Sequence, residues 1–267
     1  MRNRKGFTLI ELLVVVSIIA LLIAILLPAL GKVRQRANQV ACGANLHGYG
    51  IAIQTYITEF GKPLTSAQAP FGGSNPDLFW IYNTHGGQMS VEAMTPFMKG
   101  VNGLDPQQSN VSNVQITKIW FCPAQGVAQP GHSSDIDNWK WIPMNYSYFS
   151  GYDQDPYRSS ASNPDDLMGS IPQANRIMMT DAFFRWANPS GGGPAHWDFN
   201  HGVNGSVAQH LDPPGPVVTG TPKITGNNVL YGDYSVSFKT YTNLSAYDSP
   251  SPSVPHVNAG GNDQNFY

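Results

Sequence analysis

Charged side chains are scarce in this sequence, where Lys, Arg, Asp and Glu together account for 12% of the 267 residues. Residues 1–36 carry six basic residues and one acidic residue, whereas residues 37–267 carry nine basic and sixteen acidic residues. The larger part of the chain therefore has a net charge of −7. Proteins that bind nucleic acids gain much of their affinity from basic side chains that neutralise phosphates. This acidic balance argues against a nucleic-acid partner.

The sequence also lacks the short motifs that mark common catalytic and nucleotide-binding sites. It has no Gly-x-Ser-x-Gly turn for a nucleophilic serine. It has no Gly-x-x-x-x-Gly-Lys-Ser/Thr loop for phosphates and no Rossmann glycine pattern behind a strand. Its seven histidines are scattered among many serines, so they match a catalytic triad by chance. We therefore predict no catalytic residue and expect that the protein is not an enzyme.

Cysteine is rare as well, since only Cys42 and Cys122 are present. They lie 80 positions apart, which is not a metal-ligand spacing. In an oxidising compartment a disulfide between them would stabilise the fold by about 4 kcal/mol, because it closes a long loop in the unfolded chain. The alternative is two unpaired buried thiols. The sequence favours the disulfide but leaves both states open.

An apolar run near the start is what the sequence has in abundance. Residues 7–30 follow a basic leader, residues 1–6, and are broken only by Thr8, Glu11, Ser17 and a late proline. A helix of this length measures about 36 Å, enough to cross the roughly 30 Å core of a bilayer. The run is too long for a secretory signal peptide and lacks its small-residue cleavage site. The carboxylate of Glu11 is costly at membrane depth, so it is a functional candidate that needs a partner.

The helical pattern continues beyond the apolar run. Over residues 31–60, apolar residues recur at spacings of three and four, which is typical of one face of an amphipathic helix. Pro28 lacks a backbone donor and should kink the helix, and Gly48 should loosen it. Residues 61–63, Gly-Lys-Pro, should end it. We therefore predict a single helix over residues 7–60.

The rest of the chain is punctuated by Gly, Pro, Asn and Ser and predicts a β-rich domain over residues 61–243. Short alternating or apolar runs bounded by turn residues indicate strands, and the clearest hairpin turns through the pair Gly232-Asp233. Residues 244–267 are rich in Ser, Pro, Asn and Gly and predict an extended or disordered tail. The predicted strands are Val114–Phe121, Trp139–Phe149, Asn175–Phe184, Asn228–Tyr231 and Tyr234–Phe238, and one short helix is predicted over Ser90–Lys99.

The junction over residues 5–12 reads Lys-Gly-Phe-Thr-Leu-Ile-Glu-Leu. A basic leader, Gly, Phe, three residues, Glu and a long apolar helix closely resemble the start of type IV prepilins and type II secretion pseudopilins. The resemblance implies that a prepilin peptidase cuts after Gly6 and methylates the amine of Phe7. It also implies a pilin-like fold whose helix assembles into a filament. There the cationic amine would pair with Glu11 of a neighbouring subunit, because each charge alone is very costly at low dielectric.

The same resemblance implies a location and a set of partners. The precursor would cross the bacterial inner membrane once before it enters a periplasmic pseudopilus or a cell-surface filament. Its partners would be further copies of the chain, the prepilin peptidase and an inner-membrane assembly platform. Pro28 lies where many such helices kink, so it joins Glu11 as a predicted assembly residue.

A second resemblance concerns the body of the chain. Residues 36–46 around the first cysteine and the Phe-Cys-Pro run at 121–123 are similar to large prepilin-type proteins of planctomycete-like bacteria. Many of those end in a His-Gly…Asn-Val-Leu-x-x-Asp-Gly hairpin motif. This chain has His-Gly at 201–202 and Asn-Val-Leu-Tyr-Gly-Asp at 228–233. It departs from the motif through an insertion between the halves and through Tyr234 in place of the final glycine.

No metal site is predicted from these patterns. His196 and His201 have no established ligand spacing, and a polar loop with ordinary histidines is the favoured interpretation. The acidic residues 153–155 and 165–166 offer oxygen ligands of the kind that Ca²⁺ prefers. They lack the full Asp-x-Asp-x-Asp-Gly pattern, so Ca²⁺ is a minor alternative and no other cofactor is expected.

Together these patterns predict an α+β fold, with a long N-terminal helix packed on an antiparallel β-rich globular domain. The predicted function is that of a pilin or pseudopilin subunit. The alternative is a membrane-anchored extracytoplasmic domain, binding or hydrolytic, that does not polymerise. The predicted organisation is a leader at 1–6, a transmembrane and assembly segment at 7–30, an amphipathic helix at 31–60, the β-rich domain at 61–243 and the tail at 244–267.

Overall fold

The chain divides into two compact units, residues 1–37 and residues 38–267. Gly6, Phe7, the predicted helix Ser90–Lys99 and the acidic residues 153–155 and 165–166 lie outside the described part of the chain. The computed structural model describes residues 8–61, 67–68, 76–77, 80–82, 101–102, 115–116, 122–125, 141–143, 146–149, 173–186, 196–203, 220–242, 244–247, 256–258 and 264–266.

One α-helix, α1, extends over Leu9–Phe60. It begins after Thr8, whose carbonyl accepts a hydrogen bond from the Leu12 N–H at 3.2 Å. It ends at Gly61, which has a φ of +77° and donates its N–H to the Ile57 carbonyl at 2.7 Å. A glycine in the left-handed region that closes the last turn in this way is a common helix terminus. The predicted helix and the position of its end are therefore confirmed.

Short strands make up the rest of the described structure, and all of their pairings are antiparallel. They form two four-stranded sheets and three two-stranded pairs, which confirms the predicted α+β fold. Two short 3₁₀ turns lie at Pro123–Gln125 and Leu244–Tyr247. The strands are β1 (Ala67–Gln68), β2 (Pro76–Asp77), β3 (Trp80–Tyr82), β4 (Val101–Asn102), β5 (Gln115–Ile116), β6 (Trp141–Pro143), β7 (Tyr146–Tyr148), β8 (Ile177–Asp181), β9 (Phe183–Trp186), β10 (His196–Phe199), β11 (Gly226–Tyr231), β12 (Val236–Thr240), β13 (His256–Asn258) and β14 (Gln264–Phe266).

The first sheet has the strand order β12-β11-β8-β7 and carries the buried polar residues discussed below. Its central strand β8 is buried along its whole length, as its apolar sequence predicts for a strand covered on both faces. In the register of β7 and β8, Tyr146 lies opposite Asp181. The pairing of β11 with β8 shifts between Leu230 and Tyr231, so the strand is irregular where it enters its hairpin.

The second sheet has the order β10-β9-β14-β13. The prediction of one strand over residues 175–184 is wrong, because β8 and β9 belong to different sheets. Ala182 lies between them, and its carbonyl accepts the Asn200 N–H at 3.2 Å, so the backbone leaves the first ladder there. Two strands of this sheet, β13 and β14, come from the segment predicted to be an extended or disordered tail.

The predicted hairpin between β11 and β12 is present, but its loop is one residue longer than the predicted two-residue turn. Leu230 pairs with Val236, and the Tyr231 N–H donates to the Ser235 carbonyl at 3.0 Å. The third loop residue, Tyr234, has a φ of +66°. A three-residue hairpin loop needs a left-handed residue at this place, normally glycine. The backbone conformation expected for a glycine is thus kept although the residue is tyrosine.

The second half of α1 packs on the first sheet. Leu46, Tyr49 and Ile53 are buried along one face of the helix, so this half is amphipathic. The sequence pattern did not place these residues on the apolar face, and Val33, Val40 and Phe60, which it did place there, are more than half exposed. Two of the helix glycines allow a close approach: a Cβ at Gly43 would lie 3.1 Å from the Asn228 Oδ1, and a Cβ at Gly50 would lie 3.0 Å from the Leu230 Cδ1. The glycines that weaken an isolated helix therefore serve contact with β11.

Candidate functional site

The start of α1 is closed by a reciprocal pair of side chains. The Glu11 Oε2 accepts hydrogen bonds from the Thr8 N–H at 2.9 Å and from the Thr8 hydroxyl at 2.8 Å. The Glu11 N–H in turn donates to the Thr8 Oγ1 at 3.3 Å. This is a capping box, in which each side chain satisfies a backbone donor that the helix leaves open. Sequence reasoning missed this role, although the spacing Thr-x-x-Glu just before an apolar run is its signature.

The first half of α1 exposes its apolar side chains. Every Leu, Ile and Val from Leu9 to Leu30 is at least 46% exposed. The helix is long and apolar enough to cross a membrane. A continuous apolar surface of this length needs lipid or other apolar helices around it. This segment and the capping box form the candidate assembly site, which also includes the predicted residue Pro28 inside the helix.

A second candidate site lies inside the larger of the two units, residues 38–267, which is called the main unit below. Cys42 of α1 and Cys122, just before the 3₁₀ turn at Pro123–Gln125, form a disulfide and are both fully buried. Of the two states left open by the sequence, the disulfide is the correct one. It ties the helix covalently to the body of the domain, with a Cα–Cα distance of 5.0 Å.

A buried carboxylate lies beside the disulfide. Asp181, at the end of β8, is fully buried. Its Oδ2 accepts the Asn228 backbone N–H at 2.8 Å and the Asn228 Nδ2 at 2.7 Å, and its Oδ1 accepts the Asn200 Nδ2 at 3.3 Å. A buried charge is tolerated when such donors replace its water. The Asn228 Nδ2 also donates to the Gln39 carbonyl of α1 at 3.0 Å, so this side chain joins helix and sheet.

His201 completes the group. Its Nε2 lies 2.8 Å from the Asp181 Oδ2 and 3.7 Å from the Cys122 Sγ. Its carbonyl is fixed by the Thr225 N–H at 2.8 Å and the Thr225 hydroxyl at 2.9 Å. A Cys-His-Asp proton relay uses the two ring nitrogens for two different partners. Here one nitrogen faces both partners, so the arrangement is not such a relay.

Two buried tyrosines extend this polar group toward α1. Tyr49 and Tyr146 meet edge to face with ring centroids 5.5 Å apart, and the Tyr146 hydroxyl accepts the Asn45 Nδ2 at 3.2 Å. Burial raises the pKa of Tyr146 well above its ordinary value, and the charge of Asp181 adds to this shift. Burial also raises the pKa of Tyr49 well above its ordinary value. Both phenols are therefore held neutral.

The structure brings together residues that are far apart in the sequence. Cys42, Cys122, His201 and Asn228 belong to the body motifs quoted above, and they meet in one place. Sequence reasoning did not place Asp181 in this group. A single acidic residue in an otherwise apolar strand is the signal that could have found it. Cys42, Cys122, Asp181 and His201 are called the buried cluster below; their potential ligand atoms all lie within 4.8 Å of one another.

Comparison with known proteins bears on the N-terminal segment. Residues 1–27 match the model of the prokaryotic N-terminal methylation motif. Over 47 residues the chain is 57% identical to the type IV wide pilus major component PilA4 of Thermus thermophilus. That match covers 18% of this chain and 36% of the relative, so the chain spans about a third of that relative's length. No solved structure matches the chain significantly. The N-terminal segment of this chain is therefore similar to that of type IV prepilin-like proteins.

Proposed function

We propose that this prepilin-like chain is a structural subunit of a type IV pilus-like filament or a type II secretion pseudopilus. It is processed after Gly6 and polymerises through α1. The observation that carries this proposal is the methylation motif at the start of a helix whose first half exposes all of its large apolar side chains. The same helix is buried against a sheet in its second half. An assembly segment and an attached domain are thus built on one element.

The surface chemistry of the first half supports assembly after membrane insertion. Before assembly, lipid covers the apolar side chains of residues 9–30. In a filament the corresponding helices of neighbouring copies replace the lipid, because they offer an equally apolar environment. The prepilin peptidase and an inner-membrane assembly platform supply the processing and extraction steps.

Glu11 has two partners in this proposal, one before and one after processing. In the precursor it is bonded by Thr8 in the capping box. Cleavage after Gly6 creates a cationic amine at Phe7, two positions before Leu9, the first residue of α1. An amine of one subunit that approaches Glu11 of the next neutralises a carboxylate inside a low-dielectric bundle. The carboxylate thus acts as a register device for assembly.

Two measurements test the proposal. Mass spectrometry of the mature protein should find N-methylated Phe7 as the first residue. Electron microscopy of sheared filaments, with antibodies against the main unit, should find this chain in a fibre. An unprocessed Met1 together with the absence of the chain from every fibre would mean a membrane-anchored domain that does not polymerise.

A further inference from the structure

Once its disulfide is reduced, the buried cluster offers the ligand types of a metal site in one place. Two thiolates, an imidazole and a carboxylate are the ligand types of tetrahedral Zn²⁺ sites, and softer thiolate donors favour Zn²⁺ over Mg²⁺ or Ca²⁺. Zinc bonds of roughly 2.0–2.3 Å in a tetrahedron place ligand atoms about 3.3–3.8 Å apart. In the disulfide form the four candidate ligand atoms lie within 4.8 Å of one another. To reach the tetrahedral spacing, the two sulfurs move apart after reduction, and His201 and Asp181 separate from their 2.8 Å contact.

The direction of the His201 ring supports a shared centre. The same Nε2 is turned toward the Asp181 Oδ2 at 2.8 Å and toward the Cys122 Sγ at 3.7 Å. Such convergence of one nitrogen on a carboxylate and a sulfur does not serve proton relay, but it is what an imidazole presents to an ion held between them. The backbone that carries the ring is also fixed, because the His201 carbonyl accepts two hydrogen bonds from Thr225.

The residues around the cluster already orient its carboxylate. Asn228 and Asn200 donate to Asp181 independently of His201. When an ion replaces the contact between His201 and Asp181, these bonds keep the carboxylate in position. Outer hydrogen bonds of this kind fix the ligands in known metal sites.

We propose that the buried cluster is a redox-gated Zn²⁺ site: Cys42, Cys122, His201 and Asp181 bind one Zn²⁺ when the two cysteines are reduced, and the disulfide excludes the ion. Reduction by a dithiol breaks the Sγ–Sγ bond; the protein gains two electrons and two protons, and the dithiol becomes a disulfide. Zn²⁺ then displaces the two thiol protons. Oxidation by a disulfide of the oxidoreductase class re-forms the Cys42–Cys122 bond and releases the ion. The two forms are mutually exclusive because they use the same sulfur atoms.

The site is used by the chain before its thiols are oxidised. All four residues are buried, so the ion enters while the reduced chain folds, and its binding free energy adds to folding. The ion holds α1 on the domain through Cys42, as the disulfide does later. This inference does not depend on whether the chain polymerises.

The test uses the full-length chain in detergent micelles, with Co²⁺ as a spectroscopic substitute for Zn²⁺. After reduction, one equivalent of Co²⁺ should produce thiolate charge-transfer bands and the visible bands of a tetrahedral ion, and Zn²⁺ should abolish both. The oxidised chain should show neither. H201Q and D181N should weaken Zn²⁺ binding by at least about tenfold. Loss of a residue that only hydrogen-bonds to a metal ligand already lowers metal affinity by about that factor, and loss of a ligand itself should lower it at least as much. H47Q is the matched control, because His47 is an exposed histidine of the same unit. This variant should bind Zn²⁺ as tightly as the unchanged chain does.

Two results would overturn the proposal. One is a reduced chain that gives no thiolate–Co²⁺ bands. The other is equal Zn²⁺ affinity in the unchanged chain, H201Q and D181N, which would mean that two thiols alone capture the ion. X-ray absorption of the reduced unchanged chain with Zn²⁺ keeps the test independent of variant folding. It should find two sulfur neighbours and the outer scattering of one imidazole, and a spectrum without the imidazole contradicts the site.

Discussion

At the scale of single residues, Glu11 closes the start of α1, and the proposed function gives it a second, intersubunit role. The capping box needs only an acceptor at this position, and glutamine serves as well as glutamate. Pairing with a neighbour's amine needs the negative charge. Substitutions can therefore separate the two roles.

We expect Glu11→Gln to keep the capping box and membrane insertion but to lose incorporation into filaments, as Glu11→Ala should. The reason is that glutamine can cap the helix but has no negative charge to pair with the amine of the neighbouring subunit. Membrane fractionation measures insertion, and immunolabelled sheared fibres measure incorporation. Normal fibre yield from the Gln variant would show that capping, rather than charge, is what Glu11 contributes.

Asp181 accepts hydrogen bonds at both carboxylate oxygens and is fully buried. In Asp181→Asn, either orientation of the amide turns an NH₂ group toward a donor. We expect a loss of about 2 kcal/mol of unfolding free energy in urea titrations, the value typical of buried hydrogen bonds to charged groups. Asp233→Asn is the control; Asp233 also binds donors, from Ser235, but water replaces them at that exposed site. An equal loss in both variants would contradict the role of burial.

Tyr146 should make the main unit less stable as the pH rises in the alkaline range. Its pKa is raised by burial and by the charge of Asp181. A group whose pKa is higher in the folded state contributes stability below its unfolded pKa of about 10 and loses it as the pH rises further. We expect the unfolding free energy to fall above about pH 10, and to fall less steeply in Tyr146→Phe. Tyr56→Phe, at a partly buried phenol, should change the slope less.

At the scale of elements, α1 has two halves with opposite surroundings. Its first half exposes its apolar side chains, whereas its second half packs closely on β11, where a Cβ at Gly43 or Gly50 would lie 3.0–3.1 Å from a side chain of the strand. Helix propensity alone would favour alanine at both. The close contact with the sheet, which the sequence pattern does not reveal, opposes this preference, because the neighbouring side chain has to shift to make room for a Cβ.

Gly50→Val should cost the main unit about 1–3 kcal/mol, the usual range for overpacking. A Cβ at this position already lies 3.0 Å from the Leu230 side chain and 3.5 Å from that of Tyr234. Gly31→Val is the matched control on the same helix, since nothing lies within 4 Å of a Cβ there. Thermal unfolding of the two variants should therefore differ, and equal melting temperatures would contradict the close packing.

At the scale of the whole molecule, the second half of α1 is tied to the domain in two ways: the disulfide joins it to Cys122, and Asn228 joins it to the first sheet. The covalent tie constrains the unfolded chain, because it closes a loop of about 80 residues. Its effect belongs to the main unit and not to the apolar segment.

Replacing both cysteines with serine should lower the unfolding free energy of the main unit by about 4 kcal/mol. Membrane insertion should be unchanged, because it depends on residues 7–30. Urea titration and membrane fractionation measure the two properties in one preparation. A variant that fails to insert would show that the disulfide also acts on the apolar segment.

Sequence alone predicted α1 almost to the residue, the hairpin between β11 and β12 and the α+β class. These features follow from local signals: a continuous apolar run, a period of three to four, and turn residues between apolar stretches. The division of β8 from β9 at Ala182 was not predictable from the sequence, because no turn residue separates the two strands and only their different strand partners place them in different sheets. The left-handed conformation of the third loop residue, Tyr234, was not predicted either, because tyrosine rarely adopts it.

The sequence by itself determined the N-terminal junction, since the order of Gly6, Phe7 and Glu11 and the length of the apolar helix are properties of consecutive residues. Only the tertiary structure decided the buried cluster. Asp181, His201 and the two cysteines are separated by 20 to 159 positions in the sequence, and no local pattern states which of them meet. Their contact arises because the strand order β12-β11-β8-β7 and the docking of α1 bring the end of β8 against the helix.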